Sequence, residues 1–136
     1  MAHKILIVDD EPDSLMTLRC VLAPICAVLE APDGPEALRL LASERPDLML
    51  LDVEMPVLSG LAVLDSALRL NPALNVVMLT AQSDIAVAKA ALERGARAYI
   101  TKPVDAQRLR DVITDFLRMS ARSGDSDGKR PWRVVG

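Results

Sequence analysis

Apolar residues fall into two alternating patterns along this chain. Short runs such as residues 4–8 (KILIV) and 48–51 (LMLL) are almost wholly apolar, which suits strands buried on both faces. Longer stretches between them carry apolar residues three and four apart, the spacing of a helix with one inward face. The pattern predicts strands over 4–8, 26–30, 48–51, 76–79 and 98–100. It predicts helices over 11–22, with Pro12 in the first turn, and over 34–43. A third helix, capped by Ser59, runs to about residue 70 and is stopped by Asn71-Pro72. Ser83 is the expected cap of the fourth, with Gly95 at its left-handed end. Asp105 opens the fifth, which carries Leu109, Val112, Ile113 and Phe116 on one stripe.

Five strand–helix units in strict alternation predict an α/β fold, a doubly wound parallel sheet covered by helices on both faces. One domain over 1–119 accounts for them. Residues 120–136 (SARSGDSDGKRPWRVVG) break the pattern and, being rich in Ser, Gly and Asp, are expected to form a flexible tail or linker. Trp132 within it reads either as a docking anchor or as part of that mobile tail.

Composition narrows the picture. Half the residues are hydrophobic, yet Phe, Tyr and Trp occur once each, so the core must be aliphatic. Sixteen basic and nineteen acidic residues intermingle to a net charge of −3, which gives no basic surface for nucleic acid. No apolar run approaches the roughly 18 residues of a membrane span. The N-terminus does not read as a signal peptide, and a cytoplasmic chain is expected. Cys20 and Cys26 are then expected as reduced, packed thiols. His3, the only histidine, is expected on the surface, and no Cys/His cluster for zinc exists. Neither a GxGxxG nor a GxxxxGK[ST] phosphate loop occurs.

The candidate chemistry lies where the strands end, the edge at which doubly wound sheets build their sites. Strand one runs into Asp9-Asp10, strand three into Asp52, strand four into Thr80, and strand five into Thr101-Lys102-Pro103. Strand two ends off to one side in Glu30-Ala31. Any one of these residues alone is better explained as a helix cap or a solvated side chain. Together they place three carboxylates, a hydroxyl and a lysine on one edge. Crowded carboxylates repel, so one must take a proton unless a cation intervenes. Oxygen ligands in an incomplete shell suit Mg²⁺, which keeps several waters and pairs well with phosphate. Lys102 adds a point charge and Thr80 a hydroxyl donor for a phosphoryl oxygen. So surrounded, one aspartate stays ionised and can attack phosphorus to give an aspartyl phosphate.

These residues resemble the receiver domain of bacterial response regulators, the CheY-like superfamily of two-component signalling. The likeness covers about residues 4–118 and is carried by "ILIVDD", "LMLLDVEMP" with its later Gly60, "VVMLTA" and "AYITKP". It implies a flavodoxin-like (βα)₅ sandwich with a five-stranded parallel sheet in the order 2-1-3-4-5. It implies that Asp52 is the phosphoacceptor, and that Asp9, Asp10, Asp52 and the backbone carbonyl of Glu54 hold Mg²⁺. By the same resemblance Lys102 contacts the phosphoryl group, Thr80 moves toward it, and Tyr99 is the ring that turns inward with Thr80. The Lys102-Pro103 bond is expected to be cis. The phosphoryl donor would be a sensor histidine kinase or phosphotransfer protein. The domain would assist its own phosphorylation and hydrolyse the product slowly, without being an enzyme in the turnover sense. The output would be a changed face of the fourth helix, fifth strand and fifth helix, read by a partner, an output domain or a second copy of the domain. No membrane contact is implied, nor direct nucleic-acid binding by this domain.

Glu54 and Gln82, two residues past Asp52 and Thr80, would flank the path of a hydrolytic water and tune the lifetime of the phosphorylated state; facing solvent is the plainer reading of both. Two other functions remain. One is a receiver-like interaction module that never takes phosphate, against which three crowded carboxylates argue. The other is a small phosphatase of the haloacid dehalogenase type, with Asp52-Val53-Glu54 as its acid pair. That family's second acid is normally Asp, its motif opens the first strand, and a cap covers its substrate.

Overall fold

The computed structural model describes residues 3–53, 59–121 and 133–135. Strands β1 (Lys4–Val8), β2 (Ala27–Ala31), β3 (Leu48–Asp52), β4 (Asn75–Thr80) and β5 (Ala98–Thr101) alternate with helices α1 (Pro12–Leu22), α2 (Gly34–Glu44), α3 (Gly60–Leu70), α4 (Ile85–Glu93) and α5 (Ala106–Ala121). The strands are parallel in the order β2-β1-β3-β4-β5, as expected. A short sixth strand, β6 (Arg133–Val135), lies beside β5 in the stretch expected to be a tail or linker.

The alternation of side chains along each strand divides the core in two. Leu6, Val8, Met49, Leu51, Val76 and Met78 point to the face covered by α2, α3 and α4, where they meet Ala37, Val63 and Ala88. Ile5, Ile7, Leu48, Leu50, Val77 and Leu79 point the other way and meet Leu18 and Leu22 of α1 and Ile113 and Phe116 of α5. The wholly apolar runs are thus explained: β1, β3 and β4 have no solvent face to leave polar. Each fully buried Leu, Ile or Val contributes about 1.5–3 kcal/mol of hydrophobic stabilisation. The short strands therefore hold their places through packing rather than length.

Local signals set most boundaries. Ser59 Oγ accepts from the Ala62 amide at 3.3 Å and caps α3. Asp33 does the same for α2 through the Glu36 amide. Gly95, at φ 120°, ends α4 in a conformation that L residues avoid. Ser83 does not cap α4. A 3₁₀ turn over Gln82–Asp84 comes first, and Asp84 precedes the helix without a side-chain cap bond. That turn joins the end of β4 to α4 within four residues, leaving no extended residue at which Ser83 could cap.

Two minor expectations change. Both cysteines are free, but only Cys26 is packed; Cys20 is exposed on α1. Burial pushes the Cys26 thiol up to about 11, and its Sγ–H donates to the Leu22 carbonyl at 3.4 Å. His3 is half-buried rather than free on the surface, with Nδ1 3.5 Å from Asp47 Oδ2. Trp132 lies outside the described residues.

Candidate active site at the carboxyl edge of the sheet

Register brings the acidic residues together. Val8 pairs with Leu51, so the next rung of the sheet sets Asp9 beside Asp52, and Asp52 in turn pairs with Leu79. Thr80 follows Leu79 and lies opposite Thr101. Lys102 donates its amide to the Thr80 carbonyl at 2.8 Å, which holds the start of the β5–α5 loop against the end of β4. The Lys102-Pro103 peptide is cis.

Carboxylate oxygens of Asp9, Asp10 and Asp52 lie within 4.8 Å of one another. Asp9 is fully buried, Asp52 is 5% exposed, and Asp10 faces solvent. Oδ1 of Asp9 accepts from the Glu11 amide at 3.0 Å, while its buried Oδ2 has no hydrogen-bond partner among the described residues. A buried carboxylate oxygen in that condition is costly unless a cation meets it. Lys102 Nζ stands 3.5 Å from Asp52 Oδ1 and offsets one negative charge. Two remain, the charge that a divalent ion cancels. With oxygen donors alone and one side open to water, the residues fit Mg²⁺ better than a soft metal.

The Thr80 side chain is 1% exposed, and its hydroxyl donates to the Ala81 carbonyl at 3.0 Å. Tyr99 is already inside, 4% exposed, on the α4 side of the sheet. Glu54 lies outside the described residues, and so does the side chain of Gln82.

Gly60 brings α3 against the end of β3. Its amide donates to the Val53 carbonyl at 3.2 Å, and a Cβ on it would stand 2.8 Å from the Asp52 carbonyl oxygen. Only glycine permits that approach, so the start of α3 helps to hold Asp52 in place. A cleft of about 270 Å³ that the sequence reading did not identify opens on the other flank, lined by Asp9, Asp13, Ser14, Thr17, Lys102 and Val104. The available signal was the polar set Asp13, Ser14 and Thr17 in the first turns of α1. It reads as a solvated helix face until the β5–α5 loop is seen across from it.

Comparison with known proteins points to one family. Residues 5–114 match the family described as the response regulator receiver domain. The transcriptional regulatory protein GlrR of Escherichia coli is 36% identical over 129 residues, covering 92% of this chain but 29% of that protein. The nitrogen assimilation regulatory protein NtrX of Azorhizobium caulinodans is 40% identical over 125 residues, covering 85% of this chain and 26% of that one. The chain thus spans under a third of these relatives. A CheY-like receiver domain protein from Methanospirillum hungatei superposes with a TM-score of 0.86 at 30% identity, covering 91% of this chain and all of that one.

Proposed function

Because the chain belongs to the response regulator receiver domain family, whose members are signalling switches rather than enzymes, we propose that Asp52 is its phosphoacceptor. The observation that carries this is the juxtaposition of three carboxylates within 4.8 Å and Lys102 Nζ 3.5 Å from Asp52. The donor is the phosphohistidine of a sensor histidine kinase or of a phosphotransfer protein. A carboxylate oxygen of Asp52 forms the new P–O bond, the P–N bond breaks, and its electron pair returns to the imidazole, which takes a proton. Asp9, Asp10, Asp52 and the Glu54 carbonyl would hold Mg²⁺, which when bound would supply neutralisation of charge on the phosphoryl oxygens. Lys102 attracts the same oxygens and releases Asp52 from its present ion pair. Thr80 turns its hydroxyl from the Ala81 carbonyl to the phosphoryl group, and Tyr99 repacks against the space left behind.

The consequence is a population shift in α4, β5 and α5, since the new charge favours the arrangement in which Thr80 reaches the phosphoryl oxygen. That face is the proposed reading surface, for a partner, an output domain or a second copy of this chain. The longer relatives include a transcriptional regulatory protein, which supports an output in transcription. Among the described residues no helix is long and apolar enough to cross a membrane, and the cytoplasm is the proposed location. Glu54 and Gln82 are proposed to tune the lifetime of the phosphorylated state.

Intact-mass measurement after incubation with acetyl phosphate and Mg²⁺ tests the reading. The native chain should gain one phosphoryl group and Asp52→Asn none. A native chain that gains nothing, or a variant that gains as much, overturns it; the first outcome leaves an inert interaction module.

A further inference from the structure

The cleft between α1 and the β5–α5 loop adjoins the carboxylates, yet Asp10, Asp52 and Thr80 are absent from its lining. Leu18 and Leu79, both buried, and Pro103 and Val104 of the loop give it apolar walls. At about 270 Å³ it falls just under the roughly 300–1,000 Å³ of sites for drug-sized ligands, so a single-ring molecule suits it.

Charge gives the sign of that molecule. Asp9 and Asp13 line the cleft with one cation, Lys102, whose Nζ is already 3.5 Å from Asp52 Oδ1. Carboxylate oxygens of Asp10 and Asp52, within 4.8 Å of one on Asp9, add to the negative potential. Asp9 keeps a buried oxygen, Oδ2, without a hydrogen-bond partner among the described residues. Ser14 and Thr17 set two hydroxyls on the same rim, acceptors for N–H groups. Mg²⁺ accounts for only part of this. Asp13 stands outside the carboxylate cluster, and a hydrated ion gains nothing from walls of leucine and proline.

We infer that the cleft is a site for a free, planar organic cation of one ring, bearing an amidinium or imidazolium group, and that its occupant antagonises Mg²⁺. The ring lies against Leu18, Leu79 and Pro103, and the charged N–H groups meet Asp13, Asp9 and the two hydroxyls. Asp9 serves both cations, so each weakens the other, and by linkage the two effects are equal. Occupancy of the cleft does not depend on phosphoryl chemistry; the antagonism rests on the Mg²⁺ site of the proposed function.

Benzamidine, protonated at neutral pH, is the probe, titrated into the whole metal-free chain and followed by amide NMR shifts. Residues 14, 17, 18 and 104 should shift saturably, with a dissociation constant of about 10 mM or tighter. Benzoate, the same ring with the opposite charge, should not bind. No saturation with benzamidine, or equal binding of benzoate, overturns the site. Asp13→Lys reverses the charge at the rim and Thr17→Phe narrows the slot; both positions are exposed, so the fold tolerates them. Each should weaken binding about threefold or more, and native affinity in either overturns the placement. N-acetylarginine amide carries the head group that a protein partner would insert, without the ring. It should bind about threefold more weakly or worse, and tighter binding overturns the free-molecule reading. Saturating Mg²⁺ should weaken benzamidine about threefold or more, and unchanged affinity overturns the antagonism. No phosphoryl donor is present, so these outcomes are separable from the mass test of Asp52.

Discussion

Gly60→Ala makes a sharp prediction because two local effects oppose each other there. On propensity alone, alanine in the first turn of α3 should stabilise the helix, by up to about 1 kcal/mol. Packing says the reverse. The new Cβ would lie 2.8 Å from the Asp52 carbonyl oxygen, 2.9 Å from that of Val53 and 3.0 Å from the Val53 Cα. All three are backbone atoms of the end of β3, so no side chain can rotate away. Restoring ordinary contact at 3.4 Å needs a shift of about 0.6 Å between α3 and β3, in a place where Asp52 is tied into the sheet. Overpacking of this kind costs about 1–3 kcal/mol, which exceeds the gain in propensity. The expected result is a net loss of about 1–2 kcal/mol, read as a lower urea midpoint at unchanged slope. The melting temperature should fall by roughly 4–8 °C. Phosphoryl uptake from acetyl phosphate should fall as well, since the shifted atoms include the backbone of Asp52 itself. A variant as stable as the native chain, or more so, would refute the claim that Gly60 is there for close approach.

Three further outcomes follow from the site and the core. Asp9→Asn keeps the acceptor for the Glu11 amide while removing one of the three crowded charges, so the metal-free chain should gain about 1–2 kcal/mol in denaturant unfolding. At ten times its dissociation constant Mg²⁺ should stabilise the native chain by about 1.4 kcal/mol and the variant by much less; the opposite ranking would count against the metal site. Lys102→Met should slow phosphoryl uptake at least about tenfold and, by taking this cation from the buried Asp52 carboxylate, cost about 1–3 kcal/mol in the metal-free chain. Uptake at the native rate would remove Lys102 from the mechanism. For Cys26, whose folded pKa is raised to about 11 from 9.0, the folded chain holds its proton longer than the unfolded one. Its contribution is full below pH 9 and fades as pH rises toward 11, by about 1–2 kcal/mol after allowance for partial exposure. Cys26→Ala should flatten that alkaline loss, and a thiol reagent at neutral pH should modify Cys20 alone in the folded chain.

The linear pattern by itself determined a good deal. Strict alternation of apolar runs with helical periodicity was enough for five βα units, because a strand with no polar face can be satisfied only between two layers of helices. The same pattern placed Asp9, Asp10, Asp52, Thr80 and Lys102 on one edge, since each follows directly where a run stops. Tertiary structure alone decided the rest. That Asp9 rather than Asp10 is the buried carboxylate depends on the rung that joins β1 to β3. The tightness of Gly60 against Asp52 depends on where α3 starts in space, and the cleft beside Asp13 on a loop ninety residues away along the chain. Ser83 misled because capping propensity is local, while the turn between β4 and α4 is set by the distance the chain must bridge. The pairing of Arg133–Val135 with β5 was illegible for a related reason. A polar, glycine-containing stretch carries no periodicity of its own, and what seats three of its residues is the unpaired backbone of a strand more than thirty positions earlier.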